Sequence, residues 1–359
     1  MTKNPRKTIK STFRNKSTVH RKSENQKINK SYLFKEKLFH IIKNMIINTG
    51  ARTDTVQYYS EWLLERFKKG FVFVRNPLFP EKITRYELKP NLVDCVIFCS
   101  KNYEPILPRL NEITDKFNTY FFYTITAYGK DIEPNVPDID KSIDTLLKLE
   151  KIVGKEKICW RYDPVFLTKK YTIQQHLITF EHMAVRLSGH IDRCVFSFVE
   201  FYKKLEENFS ELQELKPEEK DELAREMSKI AHKHKIILQT CATKENFEKY
   251  GILKSGCVTL DILSKANGNL NFKNLKHHGM RKNCNCIISH DIGAYNTCPN
   301  ECKYCYANQN PEIAKKNYEE CKKNIHSPIL LGKISDSDII SFANQKSYLI
   351  EKNLQLELF

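Results

Sequence analysis

Long apolar runs are missing from this sequence. No stretch of about 18 consecutive apolar residues occurs, so no transmembrane helix and no membrane partner are expected. The N-terminus lacks the apolar segment of a secretory signal, which makes the cytoplasm the expected location. No glycine-rich loop follows any strand-like run, which leaves a dinucleotide-binding fold or a P-loop without support. Acidic residues are in deficit: 59 Lys and Arg stand against 43 Asp and Glu, a formal net charge of +16.

Much of that excess sits at one end. Residues 1–30 hold ten Lys and Arg and a single acid, Glu24, with almost no large apolar side chain. Such a segment cannot offset its ordering entropy by burial, so residues 1–40 are expected to form a disordered basic arm. The arm suits nucleic-acid phosphates. It equally suits a solvated extension, because no aromatic is interleaved to stack on bases; an organelle presequence would need an apolar face that is absent. The remaining chain, 41% hydrophobic overall with 21 Phe and 17 Tyr, is long enough for a sizeable core.

From residue 44 short apolar runs alternate with amphipathic helical stretches. The runs are "MIINT" (45–49), "FVFVR" (71–75), "VDCVIFCS" (93–100), "TYFFYTITAY" (119–128), "KICWRY" (157–162), "RCVFSFVEF" (193–201) and "KIILQTC" (235–241). The helical stretches are "TVQYYSEWLLERFKKG", "DKSIDTLLKLEKIVG", "TIQQHLITFEHMAVRLSG" and "PEEKDELAREMSKIAHKH". Near-continuous strands alternating with helices predict an α/β fold with a parallel sheet, a (β/α) barrel or partial barrel over residues 41–250. A cysteine-rich region, 251–335, would complete it, followed by a tail, 336–359. In such folds chemistry gathers where strands end. Arg52 and Asp54, Arg75 and Asn76, Lys101 and Asn102, Thr126 and Tyr128, Arg161 and Asp163, Glu200 and Cys241 occupy those ends. Taken singly each is a strand reaching water; taken as a set they form an active-site rim.

Twelve cysteines in a reducing compartment point to metal or redox chemistry rather than disulfides. "CPNECKYC" places Cys298, Cys302 and Cys305 within eight positions. A structural zinc site takes four protein ligands, whereas three thiolates on a four-iron cluster leave one iron open. Cys241, Cys257, Cys284 and Cys286 are four more, the complement of a closed site, and are expected to hold a second centre, an auxiliary iron–sulfur cluster or a zinc. Cys95, Cys99, Cys159, Cys194 and Cys321 mostly fall in apolar runs, where a thiol behaves as a small hydrophobe. His277, His278 and His290 read as loop or structural histidines.

The C-x₃-C-x₂-C spacing, with an aromatic before the last Cys, resembles the cluster loop of radical S-adenosylmethionine enzymes. "AYNTCPNECKYCYAN" is similar to the corresponding stretch of the spore photoproduct lyase-like branch. Across residues 44–335, "ARTDTVQYYSEWLLERFKKGFVFVRNP", "VDCVIFCSKNYEPILPRL", "YTITAYGKDIEPNVP", "WRYDPVFLT", "CVFSFVEFY", "LQTCA" and "CNCIISHDIGAYNTCPNECKYCYAN" resemble the bacterial domain-of-unknown-function family 1848. The resemblance implies a [4Fe–4S] cluster on Cys298, Cys302 and Cys305, S-adenosylmethionine on its open iron, and a reductant such as a flavodoxin or ferredoxin. Tyr304, Asn308, Arg52 and Asp54 are then expected to contact the cofactor. Arg161, Asp163, Glu200 and Lys101 are expected to act as catalytic residues on a substrate that the sequence does not identify, with a nucleic-acid substrate in keeping with the lyase likeness. The loop comes late in this chain, so the barrel is expected to be circularly permuted, with "HDIGAYNT" as its first strand and "MIINTGARTD" beside it. The Gly-Gly-Glu stretch that commonly binds the methionine amine is absent. The competing reading is a non-catalytic zinc or iron–sulfur module, able to bind nucleic acid, whose cysteines staple the C-terminal region.

Overall fold

Two kinds of strand separate at once in the structure, a computed structural model that describes residues 45–201, 205, 209–273 and 284–350. The basic arm and His277 and His278 lie outside the described residues. In chain order the strands are β1 (Ile46–Asn48), β2 (Phe71–Arg75), β3 (Lys82–Glu87), β4 (Cys95–Ser100), β5 (Thr119–Thr124), β6 (Ile158–Val165), β7 (Arg193–Phe198), β8 (Ile237–Thr240), β9 (Leu253–Lys254), β10 (His290–Asp291) and β11 (Ile339–Phe342). The α-helices are α1 (Thr55–Tyr58), α2 (Ser60–Lys69), α3 (Asn111–Thr114), α4 (Ile139–Val153), α5 (Ile173–Leu187), α6 (Pro217–Lys233), α7 (Leu260–Ala266) and α8 (Pro311–Cys321).

Eight strands form one sheet in the order β10-β1-β4-β5-β6-β7-β8-β9, and every neighbouring pair is parallel. From β1 to β9 each strand lies beside the next sheet strand in the chain. β10 is the exception: it comes last yet sits at the edge against β1, with Ile47 opposite His290 and Asn48 opposite Asp291. β2, expected within the parallel series, instead forms an antiparallel pair with β3, to which β11 adds in parallel. Only residues 76–81 separate β2 from β3, among them Pro77 and Pro80. That is enough for a hairpin and too little for a parallel crossover.

The parallel strands are apolar without interruption because both faces are covered. On β5, Phe121 and Tyr123 pack into the larger core with α2, α4, α5 and α6, while Tyr120 and Phe122 face a second core with α7. The same alternation puts Val96 and Phe98 of β4 on the helix side and Cys95 and Ile97 on the other. Cys95, Cys159 and Cys194 are fully buried in these layers, as their apolar settings predict. Helix faces follow the 3.6-residue period: Ile143, Leu146 and Leu149 on α4, and Phe180, Met183, Ala184 and Leu187 on α5. The helix expected over 55–70 is broken at Tyr59, whose φ of −133° ends α1 before α2 begins. No helix of the described residues is long and apolar enough to cross a membrane.

Candidate functional site

At the carboxyl ends of β1, β4, β5, β6 and β7 the chain encloses a cavity of about 670 Å³, within the size range of small-molecule sites. Cys298, Cys302 and Cys305 line it, and so do Arg52, Asp54, Lys101, Arg161, Asp163, Glu200, Tyr304 and Asn308. Every residue singled out at the strand ends for cofactor or catalysis therefore reaches one space. Arg75, from the same set, lies elsewhere: its guanidinium pairs with Asp338. Thr126 and Tyr128 are buried beneath the site.

Residues 295–308 wrap over the strand ends and are held by hydrogen bonds from several elements. Asn135 Nδ2 donates to Pro299 O (2.8 Å), Tyr58 OH to Asn300 Oδ1 (2.9 Å) and Tyr59 OH to Thr297 O (2.6 Å). Within the loop Asn308 Nδ2 donates to Cys298 O at 2.7 Å, and Cys305 N to Cys302 O at 3.0 Å. The Ala307 N–H points at Cys305 Sγ, 3.3 Å away. Burial pushes the Cys298 thiol up to about 12, with Asp54 adding to the effect, and it raises Cys302 as well. Thiols in such a setting are poor nucleophiles, and a bound cation would be needed to hold them as thiolates.

Beneath the loop lies a residue that sequence reasoning missed. Glu133, only 3% exposed, accepts from Lys101 Nζ (2.9 Å), from Thr126 Oγ1 (2.8 Å) and from Tyr304 OH. It ties the β4 end to the aromatic of the cysteine loop. Burial alone would lower the Lys101 pKa, but Glu133 and Cys302 more than offset it, and the amine is held above its usual range. A lone Glu in "DIEPNVP" carries no motif, so nothing in the sequence marked it.

Asp54 is a cap. Its carboxylate accepts from Gln57 N (3.0 Å), Ser100 Oγ (2.7 Å) and Lys101 N (2.9 Å), joining the start of α1 to the end of β4. Burial is the main cause of its raised pKa, partly opposed by those donors. Arg52 lies 3.9 Å from Asp291 and over the Tyr295 ring. Asp291 itself is raised to about 6 by burial, against the Ala51 N–H and Arg52 that favour its charge. Arg161 pairs with Asp163, which also accepts from Ser197. Glu200 stands exposed at the cavity mouth.

Three residues of this wall each hold a polar atom buried without a partner among the described residues: Thr53 Oγ1, Arg161 Nε and Asn308 Oδ1. Arg161 Nε is a donor, Asn308 Oδ1 is an acceptor, and the Thr53 hydroxyl can be either. A buried polar group without a partner is costly, so a ligand that accepts at one point and donates at another fits this wall.

A family model described as Domain of unknown function (DUF1848) matches residues 46–307. The chain belongs to that family. No curated protein and no solved structure matches it. The DUF1848 span runs from β1 through the cysteine loop to Ala307, so it takes in the whole parallel sheet and stops just before Asn308.

Inside the same DUF1848 span a second group of thiols converges away from the cavity. Cys241, Cys257 and Cys286 bring their Sγ atoms within 4.8 Å of one another, spaced to share a metal ion. None of them, nor Cys284, lines the cavity. Among the described residues Cys298, Cys302 and Cys305 do not draw together that tightly. The second group is thus the tighter of the two.

Proposed function

We propose that the chain is an iron–sulfur enzyme of the radical S-adenosylmethionine type, with its cluster on Cys298, Cys302 and Cys305. The observation that carries this reading is the cavity, whose wall combines three thiols with Arg161 and Asn308, two side chains that each hold a buried, unpartnered polar atom. S-adenosylmethionine offers a carboxylate that accepts from Arg161 and amines that donate to Asn308. When bound, the reduced cluster supplies the electron that breaks a carbon–sulfur bond of that cofactor. The chain's own part is to bind, orient and exclude water. Tyr304, anchored on Glu133, sets the loop; Lys101 stands beside Cys302 as a fixed positive charge; Asp163 orients Arg161. Glu200, at the mouth, is left to meet the substrate. The electron comes from a low-potential donor, a flavodoxin or ferredoxin.

The sheet supports the fold that goes with this chemistry. Its order β10-β1-β4-β5-β6-β7-β8-β9 becomes strictly sequential if the chain is read as starting at β10. The cysteine loop then follows the first strand of a partial (β/α) barrel, as it does in radical enzymes of this type, and the change of order is a circular permutation. A doubly wound sheet would instead reverse direction at a switch point.

The test is anaerobic. Reconstituted protein should hold one cluster, change its electron paramagnetic resonance signal when S-adenosylmethionine is added, and release 5′-deoxyadenosine on reduction. Cys302→Ala should lose all three. Asn308→Ala, and separately Arg161→Lys, should keep full iron and weaken cofactor affinity about tenfold, the loss of about 1.4 kcal/mol from one hydrogen bond. Deoxyadenosine release surviving Cys302→Ala, or a colourless wild-type protein after reconstitution, would overturn the assignment.

A further inference from the structure

The second thiol group is built from three separate segments. Cys241 directly follows β8, Cys257 stands in the loop that enters α7, and Cys284 and Cys286 lie in the stretch that leads to β10. Cys286 Sγ is 3.2 Å from Cys257 Sγ and 3.7 Å from Cys241 Sγ. Cys284 stands next to the group, outside the three thiols that lie within 4.8 Å of one another: the Cys286 N–H points at its Sγ at 3.4 Å, and its thiol interacts with both Cys241 and Cys286. The Cys257 N–H in turn points at Cys286 Sγ, 3.2 Å away. Cys241, Cys284 and Cys286 are buried, each less than 10% exposed.

We propose that Cys241, Cys257, Cys284 and Cys286 hold one zinc ion in a closed tetrahedral site. Four thiolates around zinc, each with a Zn–S bond of about 2.3 Å, stand about 3.8 Å from one another. The observed separations of 3.2 and 3.7 Å lie near that value. The shared iron-and-sulfide cube of a cluster would hold its cysteines apart instead. None of the twelve cysteines is in a disulfide. Three sulfurs in mutual contact cannot all be satisfied by one disulfide, whereas one soft-ligand ion satisfies four. With every position taken by protein, the ion has no open site for substrate, and its role is to fasten the chain.

The surroundings are shaped for that fastening. The Gln239 side chain, fully buried, donates to Ser255 O (3.1 Å) and Gly256 O (2.8 Å) and so fixes the backbone just before Cys257. A Cβ added at Gly256 would come within 2.4 Å of Asn285 O, backbone against backbone. The two ligand-bearing loops approach each other this closely only because residue 256 is glycine. Backbone N–H groups aimed at two of the sulfurs favour their thiolate forms.

The test separates this centre from the cluster proposed in the cavity. A full-length chain carrying Cys298→Ala, Cys302→Ala and Cys305→Ala, purified aerobically with reductant, should contain one zinc per chain and no iron. X-ray absorption at the zinc edge should count four sulfurs at about 2.3 Å. Adding Cys241→Ser and Cys257→Ser should remove the zinc. Those added changes take away a staple that the fold relies on, so cobalt exchange on the triple variant serves as the second measurement. It should give the intense thiolate-to-cobalt absorption of tetrahedral sulfur ligation. A folded triple variant that takes up neither zinc nor cobalt overturns the proposal. So does one that holds iron with acid-labile sulfide, or one whose zinc has fewer than four sulfur ligands. Loss of deoxyadenosine release in the triple variant bears only on the cavity.

Discussion

Glu133 offers the sharpest energetic test. Its carboxylate is 3% exposed and the Lys101 amine facing it at 2.9 Å is 12% exposed. Removing one member of a buried pair leaves the other charge uncompensated, at a cost of about 3–5 kcal/mol. The residual exposure of Lys101 favours the low end, about 3 kcal/mol. In Glu133→Gln the amide oxygen still accepts from Tyr304 and Thr126, so what is lost is chiefly the charge. Lys101→Met should cost a similar amount, because it strands the carboxylate. The double variant Lys101→Met/Glu133→Gln contains no stranded charge and should cost about as much as one single change. Urea unfolding followed by tryptophan fluorescence measures this directly, because Trp62 and Trp160 are both buried in the core. The cycle should return a coupling of at least about 1.5 kcal/mol. Additivity within about 0.5 kcal/mol, the value for independent sites, would refute the claim that the two residues act as a pair.

Acid and backbone supply two more tests. His176 is fully buried, its ring between Tyr162 OH and Phe166 O, and burial lowers its pKa from 6.5 to about 4. The stability it contributes is complete above pH 6.5 and is lost as the pH falls from 6.5 towards 4, up to about 3 kcal/mol; His176→Gln should flatten the stability–pH curve in that window, and an unchanged acid limb would count against it. Gly50 follows β1 so close to β4 that an added Cβ would lie 2.0 Å from Cys99 O. Gly50→Ala should therefore cost about 2–3 kcal/mol in urea unfolding. Gly189→Ala, where φ is +84° but the space is open, should cost only about 1–2 kcal/mol for the left-handed backbone; equal costs would show that the close approach is not what Gly50 serves.

What the sequence revealed depended on pattern length and on chemistry. The strands buried on both faces and the helices α4, α5 and α6 were legible because apolar periodicity persists over many residues. β3 was not, since "KITRYE" is charged at three of its positions and its arginine is accommodated by Glu87 and by the faces of Phe71, Phe73 and Phe342. β9 and β10 are two residues each, too short to leave a pattern. Pairing of β2 with β3 was hidden because an apolar run does not say which sheet it joins. At the site, the cysteine spacing and the polar strand ends pointed to residues that share the cavity. Glu133, Asp291 and Asn300 were silent, because each is a single polar residue whose burial arises only from distant segments closing over it.

The place of β10 at the edge beside β1 has a consequence for the order of assembly. Ribosomal synthesis proceeds from the N-terminus, and β1 and β4 through β9 emerge long before His290. The β1 edge therefore stays bare until about 240 residues after β1 have been made, the separation of the Ala51–Asp291 bond, and a seven-strand nascent sheet can form before it is covered. The cysteines proposed to hold the cluster are translated later still, onto a floor already standing. Until β10 arrives, the exposed β1 edge is the nascent sheet's opening to wrong partners. Chaperone dependence and aggregation in cells should accordingly track the supply of the last third of the chain.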